Sequence, residues 1–260
     1  MTVKEITTAI EEFAPLPLQE SYDNAGLQVG YGDSRVNAVM LCLDVTHEVL
    51  DEAIKRKCDM IVSHHPLIFH GLKHLTGASE TERIVIKAIK EGIAIYSAHT
   101  NLDSTWNGVS HEMAHMLDLH DIEVLSPIDG NPQAGLGVIG NIVPTPKLEL
   151  LRRIKEKFGV KSLRYSTQSS AIVAKRIAMC GGAGAGFIKR AIEMGADMYI
   201  TGDVKYHDFT TWGQDIVIAD IGHYESELCS MKIFSRIIRE KYPDLVVYFS
   251  EEQTNPIGVM

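Results

Sequence analysis

Short apolar runs alternate with amphipathic helical patterns along most of the chain, and this alternation limits the fold more than any other feature. The apolar runs predict buried strands at residues 38–43, 60–62, 93–96, 177–179, 198–200 and 216–219. Helical patterns lie at residues 3–13, 49–56, 80–91, 148–158 and 187–194. Strand, helix and strand at this spacing are typical of βαβ units, so we predict an α/β fold with a largely parallel sheet.

Residues 126–146 depart from this alternation because they are rich in Pro, Gly and Asn. They include one apolar run, residues 136–142, that predicts a further strand. We place a lobe boundary at residues 126–132, where the breaking residues are concentrated. The sequence therefore predicts two lobes, residues 1–127 and residues 128–260, with a C-terminal segment that can pack back on the first lobe.

Charge and cysteine content narrow the class of protein. The formal net charge of −9 predicts an acidic surface, which repels phosphate backbones and makes nucleic acid an unsuitable partner. The four cysteines form no Cys-x-x-Cys pair, which favours buried, reduced side chains over disulfides. The opening residues lack a signal-peptide core, and no stretch approaches the roughly 18 consecutive apolar residues of a membrane span. We predict a cytoplasmic protein without membrane contact.

Side chains capable of chemistry are concentrated directly after the predicted strands. Four loops carry them: Ser63-His64-His65-Pro66, Ala98-His99-Thr100-Asn101-Leu102-Asp103, Thr201-Gly202-Asp203-Val204-Lys205-Tyr206-His207 and Gly222-His223-Tyr224-Glu225-Ser226-Glu227. In open α/β sheets the carboxyl ends of the strands form the ligand-binding edge. These loops can therefore converge although they are far apart in sequence.

Metal binding accounts for these residue types. Imidazole and carboxylate together, without thiolate, suit Zn, Mn, Fe or Co. His64 and His65 are expected to point to opposite sides of an extended backbone, so two neighbouring ions could take one imidazole each. Glu227 lies four residues after His223 and would share its helix face, and Asp103 adds a carboxylate after another strand. We therefore predict two divalent metal ions per chain, bound by His64, His65, Asp103, His223 and Glu227.

Structural interpretations stand beside this prediction. The histidines could hydrogen-bond within turns, Asp103 could be a helix N-cap, and Glu227 could be a solvated helix residue. The segment His111-Glu112-Met113-Ala114-His115 has the spacing of a zinc-peptidase helix and is a separate candidate site. The turn Cys180-Gly181-Gly182-Ala183-Gly184-Ala185-Gly186 fits either close packing of a helix on a strand or an anion site near the metals. It matches neither a dinucleotide fingerprint nor a P-loop.

The chain resembles the family of GTP cyclohydrolase 1 type 2 homologues, also called Nif-three-like proteins. The four loops above carry the resemblance together with Tyr22-Asp23-Asn24-Ala25-Gly26-Leu27-Gln28-Val29-Gly30, and it runs nearly end to end. Two departures are visible: Tyr22 stands where tryptophan is common in the family, and Glu225 precedes Ser226-Glu227. The resemblance implies metal ligation by the same five residues, with Glu227 bridging two ions.

The resemblance also implies a two-lobed α/β fold and a ring-like homohexamer with metal sites facing an inner cavity. The activity it implies is that of a metal-dependent hydrolase, similar to GTP cyclohydrolase, acting on a small molecule such as a purine nucleotide. His99, Asp203 and His207 are candidates for proton transfer because each lies in or next to a ligand-bearing loop, although each could instead support a ligand. The alternative from another class is a non-catalytic metal-binding scaffold or regulatory interaction protein.

Overall fold

The alternation of strands and helices is present in the computed structural model, which describes residues 1–260. The helices are α1 Val3–Phe13, α2 His47–Lys55, α3 Glu80–Glu91, α4 Thr100–Ser104, α5 Val109–Met116, α6 Lys147–Lys157, α7 Ile188–Glu193, α8 Tyr206–Trp212, α9 His223–Glu227 and α10 Cys229–Lys241. The strands are β1 Gly26–Val29, β2 Ala38–Cys42, β3 Met60–Ser63, β4 Ala94–Ser97, β5 His120–Ile128, β6 Asn131–Pro146, β7 Arg164–Tyr165, β8 Val173–Met179, β9 Met198–Thr201, β10 Val217–Asp220 and β11 Val246–Phe249. Short 3-10 helices lie at Leu16–Leu18 and Gly184–Phe187.

The chain forms two compact units, each of which carries one sheet. Unit 1 comprises Met1–Leu102 and Ser230–Pro256, and unit 2 comprises Asp103–Cys229 and Ile257–Met260. These bounds differ from the predicted lobes of residues 1–127 and 128–260. The segment predicted as the lobe boundary, residues 126–132, lies within unit 2, where β5 and β6 pair as an antiparallel hairpin.

Unit 1 is built on a five-stranded sheet of order β1-β4-β3-β2-β11. The strands β2, β3, β4 and β11 are parallel, and β1 pairs antiparallel with β4. Cys42 pairs with Ser63, and Ser63 pairs with Ser97, so β2, β3 and β4 end at the same level of the sheet. The loops that follow these three strands consequently lie at one edge.

Unit 2 is built on a six-stranded sheet of order β5-β6-β8-β9-β10-β7. Its central strands β8, β9 and β10 are parallel, whereas β5, β6 and β7 pair antiparallel. Met179 pairs with Ile200, and Thr201 pairs with Asp220, so the parallel strands again end together. Both sheets are mixed, so the prediction of a largely parallel sheet is confirmed only in part.

Apolar strands and amphipathic helices make the core of each unit. In unit 1, Met40, Ile61 and Ile95 from the sheet are packed with residues of α2 and α3. In unit 2, Tyr199 and Ile218 are packed with residues of α7. Complete burial of each such side chain stabilises the fold by about 1.5–3 kcal/mol.

The predicted bounds of α1 and α3 are confirmed, and local capping explains them. Thr2 and Glu5 form a capping box at the start of α1. Ser79 caps α3 at its start, and Gly92 ends it in the left-handed conformation with φ of 70°. The four cysteines are free and buried, as predicted. None of the helices combines the length and the apolar character needed to cross a membrane.

Candidate metal centre

Three imidazoles of unit 1 are gathered at the carboxyl edge of its sheet. His64 and His65 follow β3, and His99 follows the neighbouring strand β4. Their ring centroids are 5.2 Å apart for His64 and His65, 5.3 Å for His64 and His99, and 5.4 Å for His65 and His99. Each ring offers a nitrogen ligand atom, and these atoms lie within 4.8 Å of one another. The expectation that strand-end loops converge is therefore met within unit 1.

The rings of His64 and His65 do not point to opposite sides, which corrects an expectation from the sequence. The alternation of side chains holds only along an extended strand. Here β3 ends at Ser63, and the two histidines lie beyond it in a bend. The hydroxyl of Ser63 donates to the carbonyl oxygen of His65 at 2.9 Å and lies 2.8 Å from the Ser97 hydroxyl. These two contacts hold the bend in place.

Each of these imidazoles has its Nδ1 atom held by an acceptor oxygen. The pairs are His64 Nδ1 with the Ala98 carbonyl oxygen at 2.9 Å, His65 Nδ1 with Asp44 Oδ1 at 2.7 Å, and His99 Nδ1 with Asp23 Oδ1 at 2.8 Å. Carbonyl and carboxylate oxygens only accept, so the neutral ring carries its proton on Nδ1 and keeps a lone pair on Nε2. This is the usual arrangement behind a metal-bound histidine.

The carboxylate behind His99 is itself firmly held. The side chain of Asp23 is fully buried, and it also accepts a hydrogen bond from the backbone N–H of Thr100 at 3.0 Å. Burial raises the pKa of Asp23, but the hydrogen bonds from His99 and Thr100 outweigh burial and leave that pKa below its ordinary value. Asp23 therefore stays ionised and keeps the His99 ring in one orientation.

Unit 2 carries its own group of potential ligands, one imidazole and two carboxylates. His223 and Glu227 lie one turn apart on α9, and His223 Nε2 is 3.0 Å from Glu227 Oε2. On the other side of the ring, His223 Nδ1 lies 2.8 Å from Asp203 Oδ2, which orients the imidazole. Asp103 and Glu227 offer ligand oxygens within 4.8 Å of each other. Glu227 is 3% exposed, so it is not a solvated helix residue.

The glycine-rich turn after β8 makes room for the Glu227 side chain. Gly182 has φ of +61°, and a Cβ atom there would lie 2.2 Å from Glu227 Oε1. A Cβ at Gly181 would lie 3.4 Å from Glu227 Cγ and 2.9 Å from Val109 Cγ1. Only glycine at 182 satisfies both the left-handed backbone and the close approach of the carboxylate.

The same turn is not arranged as an anion site. Its backbone N–H groups donate to hydroxyls of unit 2: Gly181 to Ser110 Oγ at 3.4 Å, Gly182 to Ser226 Oγ at 2.9 Å and Gly184 to Thr201 Oγ1 at 3.0 Å. An N–H group that already donates to a hydroxyl of the protein is not available to bind a phosphate oxygen. Of the two interpretations left open by the sequence, the structure supports close packing.

A family model described as Duf34/NIF3 (NGG1p interacting factor 3) matches residues 1–256. The chain belongs to the Duf34/NIF3 family. A Clostridium acetobutylicum relative is 35% identical over 239 residues, which cover 91% of this chain and 89% of the relative. A Streptococcus pneumoniae relative is 35% identical over 263 residues, 98% of either chain. Both relatives carry the name GTP cyclohydrolase 1 type 2 homolog.

A solved structure extends the Duf34/NIF3 likeness to the fold. A Staphylococcus aureus hypothetical protein superposes with a TM-score of 0.90 at 27% identity, covering 100% of this chain and 99% of that one. The α/β fold and the family resemblance predicted from sequence motifs are thereby confirmed.

The other residues of this Duf34/NIF3 chain that the sequence singled out lie in helices α4, α5 and α8. Asp103 lies inside α4 and does not cap it. His207 is exposed in the first turn of α8, with its ring 5.5 Å from that of Tyr206. His111 is buried against Trp106, and burial, followed by the charge of His115, lowers its pKa to about 4. Neither His111 nor His115 belongs to a group of three potential ligands, so the zinc-peptidase interpretation finds no support.

Two carboxylates that hold histidines of the candidate site in this Duf34/NIF3 chain were missed from the sequence. Asp44 follows β2 just as the histidines follow β3, and this position after a strand was a usable signal. Asp23 lies in the motif Tyr22-Asp23-Asn24, which carried the family resemblance without a role being assigned to it. Both carboxylates act through a histidine that is distant in sequence, and no local spacing reveals such a pairing.

Asp203 offers a test of these supporting carboxylates. It has φ of 53°, a left-handed conformation that asparagine also tolerates, so Asp203→Asn should leave the loop intact. Loss of the charge behind His223 is expected to weaken zinc binding by about 10–100-fold, measured by competition with a chromogenic chelator. The matched change Asp215→Asn alters an exposed carboxylate and should have no effect. Equal affinities for the two variants would contradict a supporting role.

Proposed function

We propose that this chain binds two divalent metal ions and uses them to hydrolyse a small molecule. The proposed ligands are His64, His65, Asp103, His223 and Glu227, with Glu227 bridging the ions. One observation carries the proposal: the imidazoles of His64, His65 and His223 each have Nδ1 held by an acceptor, which presets Nε2 as the ligand atom. Histidines that only complete turns do not need this shared arrangement.

The donor set fits a borderline divalent ion. Neutral imidazoles and carboxylates without thiolate suit Zn, Mn, Fe or Co. The chain passes from unit 1 to unit 2 between Leu102 and Asp103. Asp103 is therefore the first residue of unit 2, and it follows His99 by four residues. Glu227 lies two residues before Cys229, where the chain leaves unit 2. Both proposed carboxylate ligands therefore flank the points at which the chain changes unit.

Partial exposure of the imidazoles favours a reaction over a closed structural site. The side chains of His65 and His223 are 22% and 33% exposed, whereas Glu227 is almost fully buried. A catalytic metal site keeps one position open to water or substrate. Divalent ions held here would supply Lewis-acid chemistry, lowering the pKa of water and polarising a substrate oxygen.

The curated relatives indicate which substrates to test. Their name, GTP cyclohydrolase 1 type 2 homolog, points to a purine nucleotide, and cyclic amides and phosphate esters react with the same kind of activated water. Asp203 orients the His223 ring, a positioning role. His99 and His207 stay predictions as proton-transfer groups, and the homohexamer stays a prediction as well.

The experiment is a turnover assay with metal-loaded protein. GTP and a panel of cyclic amides and phosphate esters are incubated with the chain, and products are separated by liquid chromatography. We expect turnover of at least one compound that requires added metal and is lost in His65→Gln. The control His74→Gln changes an exposed imidazole of the same unit and should keep the activity.

A non-catalytic metal-binding scaffold is the second candidate. Complete burial of His64 favours it, because a closed site needs no access for substrate. The family description, NGG1p interacting factor 3, likewise names an interaction role for the protein it describes. Absence of any turnover that depends on both His65 and the metal, in protein shown to hold its ions, would replace the hydrolase by this candidate.

A further inference from the structure

We propose that Tyr22 and Phe69 form a binding site for a planar aromatic ring of the substrate, and that this substrate is a nitrogen heterocycle such as a nucleobase. The inference rests on the proposed function, because it places a ring of the molecule that would be hydrolysed beside His99. Two side chains that bind no metal would thereby recognise that molecule.

Tyr22 and Phe69 are exposed aromatic side chains on the surface of unit 1. Tyr22 is 62% exposed and Phe69 is 38% exposed. The two residues before Phe69, Leu67 and Ile68, are packed against the core of unit 1, so the chain buries these neighbours and leaves the Phe69 ring at the surface. Burial of an aromatic side chain is strongly favourable, and neighbouring aromatic rings left exposed are typical of a surface that binds a ligand.

The two rings lie together beside the candidate metal centre. Their centroids are 6.5 Å apart, with an angle of 47° between the ring planes. The ring of Phe69 is also 6.3 Å from that of His99, at an angle of 74°. Aromatic rings interact at centroid separations of about 4.5–7 Å, so the Phe69 ring contacts both Tyr22 and His99. A ligand ring that stacks on this pair therefore lies next to an imidazole of the site.

Hydrogen bonds to Ile68 hold the two rings at this separation. The Ile68 carbonyl oxygen accepts from Asn24 Nδ2 at 2.6 Å, and the Ile68 backbone N–H donates to Gln28 Oε1 at 3.1 Å. Both bonds tie the segment that carries Phe69 to the segment that carries Tyr22. The pair is therefore in place before a ligand arrives, which reduces the entropy lost on binding.

A nitrogen heterocycle suits this pair better than an aliphatic ligand. The faces of the two rings are electron-rich, and the angle of 47° between them lets a flat ring stack on one and meet the other with its edge. Stacking on aromatic side chains tolerates different bases, because every base has a π-face. Such heterocycles also carry electrophilic ring carbons, which the proposed hydrolysis requires.

The test measures binding and not turnover, so its outcome does not depend on the proposed reaction. Guanosine, adenosine, cytidine and ribose are titrated into the full-length chain supplied with Zn²⁺, and saturation-transfer difference NMR shows which ligand protons contact the protein. We expect at least one nucleoside to bind, with stronger saturation of its base protons than of its sugar protons. Ribose should bind at least about tenfold more weakly, because it lacks the ring that stacks.

Variants of both rings separate stacking from other causes of binding. Tyr22→Ala and Phe69→Ala should each weaken binding of the nucleoside by about 5–150-fold, which corresponds to the loss of one base–aromatic stack. Tyr22→Phe keeps the ring and should retain the affinity to within about twofold. The matched control Tyr31→Ala removes a tyrosine of the same unit that is 78% exposed, and it should leave binding unchanged.

Failure of all three nucleosides to bind, or unchanged affinity in both alanine variants, would overturn the inference. If Tyr22→Ala changes the gel-filtration volume but not nucleoside binding, the rings contact a second copy of the chain and the inference is overturned as well. Ring-dependent binding without any metal-dependent turnover would uphold the ring site and would instead refute the proposed hydrolysis. Metal-dependent turnover that is unaffected in Tyr22→Ala and Phe69→Ala would do the reverse.

Discussion

Replacing Gly182 with alanine is expected to lower the free energy of unfolding by about 2–4 kcal/mol, since it combines left-handed strain with overpacking. The added Cβ would lie 2.2 Å from Glu227 Oε1 at a backbone φ of +61°. The Glu227 carboxylate would have to move, so the metal content of the purified variant should fall as it does on loss of Glu227 itself. Thermal unfolding of metal-free protein and elemental analysis measure the two effects.

Gly186→Ala is the matched control for this change. Gly186 lies in the same turn, but its φ is not in the left-handed region, and an added Cβ there meets nothing within 4 Å. Its replacement should leave metal content unchanged and should not destabilise the protein, because alanine favours helical backbone. If both variants behave alike, the glycine at position 182 does not serve the Glu227 carboxylate.

Loss of the Glu227 charge is expected to have the largest effect on metal content. Glu227→Gln keeps the size of a buried side chain but removes the anion that would neutralise two ions at once. The purified variant should lose most of both ions, whereas the wild-type chain retains two. Elemental analysis after gel filtration in metal-free buffer gives the ratio of metal to protein.

Glu225→Gln is the control for Glu227→Gln. It removes the same charge two residues away on α9 and should leave the metal content at the wild-type value. Two ions per chain in Glu227→Gln would exclude a bridging role for this carboxylate. The two-ion proposal would then need another residue between the ions.

Local periodicity predicted the parallel strands and most of the longer helices, but not the antiparallel strands at the edges of the sheets. The bounds of α1 and α3 follow from apolar stripes and caps that lie within the helices and at their ends. The antiparallel strands β1 and β7 were not predicted, because they are short and their pairing depends on distant partners. Whether a strand runs parallel or antiparallel to its neighbour is decided by tertiary packing, which leaves no period in the sequence.

The candidate site was predicted through the ends of strands. His64, His65 and His99 were expected near one another because they follow neighbouring strands, and they are. The relation of Asp23 to His99 spans 76 residues and could not be inferred from spacing. The bend after Ser63, which turns both histidines towards His99, also depends on a buried contact with Ser97.

Unit 1 is formed by two segments of the chain, whereas unit 2 is nearly continuous. This difference sets the order in which the two units can fold during synthesis. The residues of unit 2 up to Cys229 emerge before β11, which completes the unit 1 sheet beside β2. A nascent chain can therefore finish unit 2 while unit 1 still exposes an open sheet edge, a surface prone to aggregation. Thr254, which anchors the carboxylate behind His65, follows β11 and is therefore translated after it.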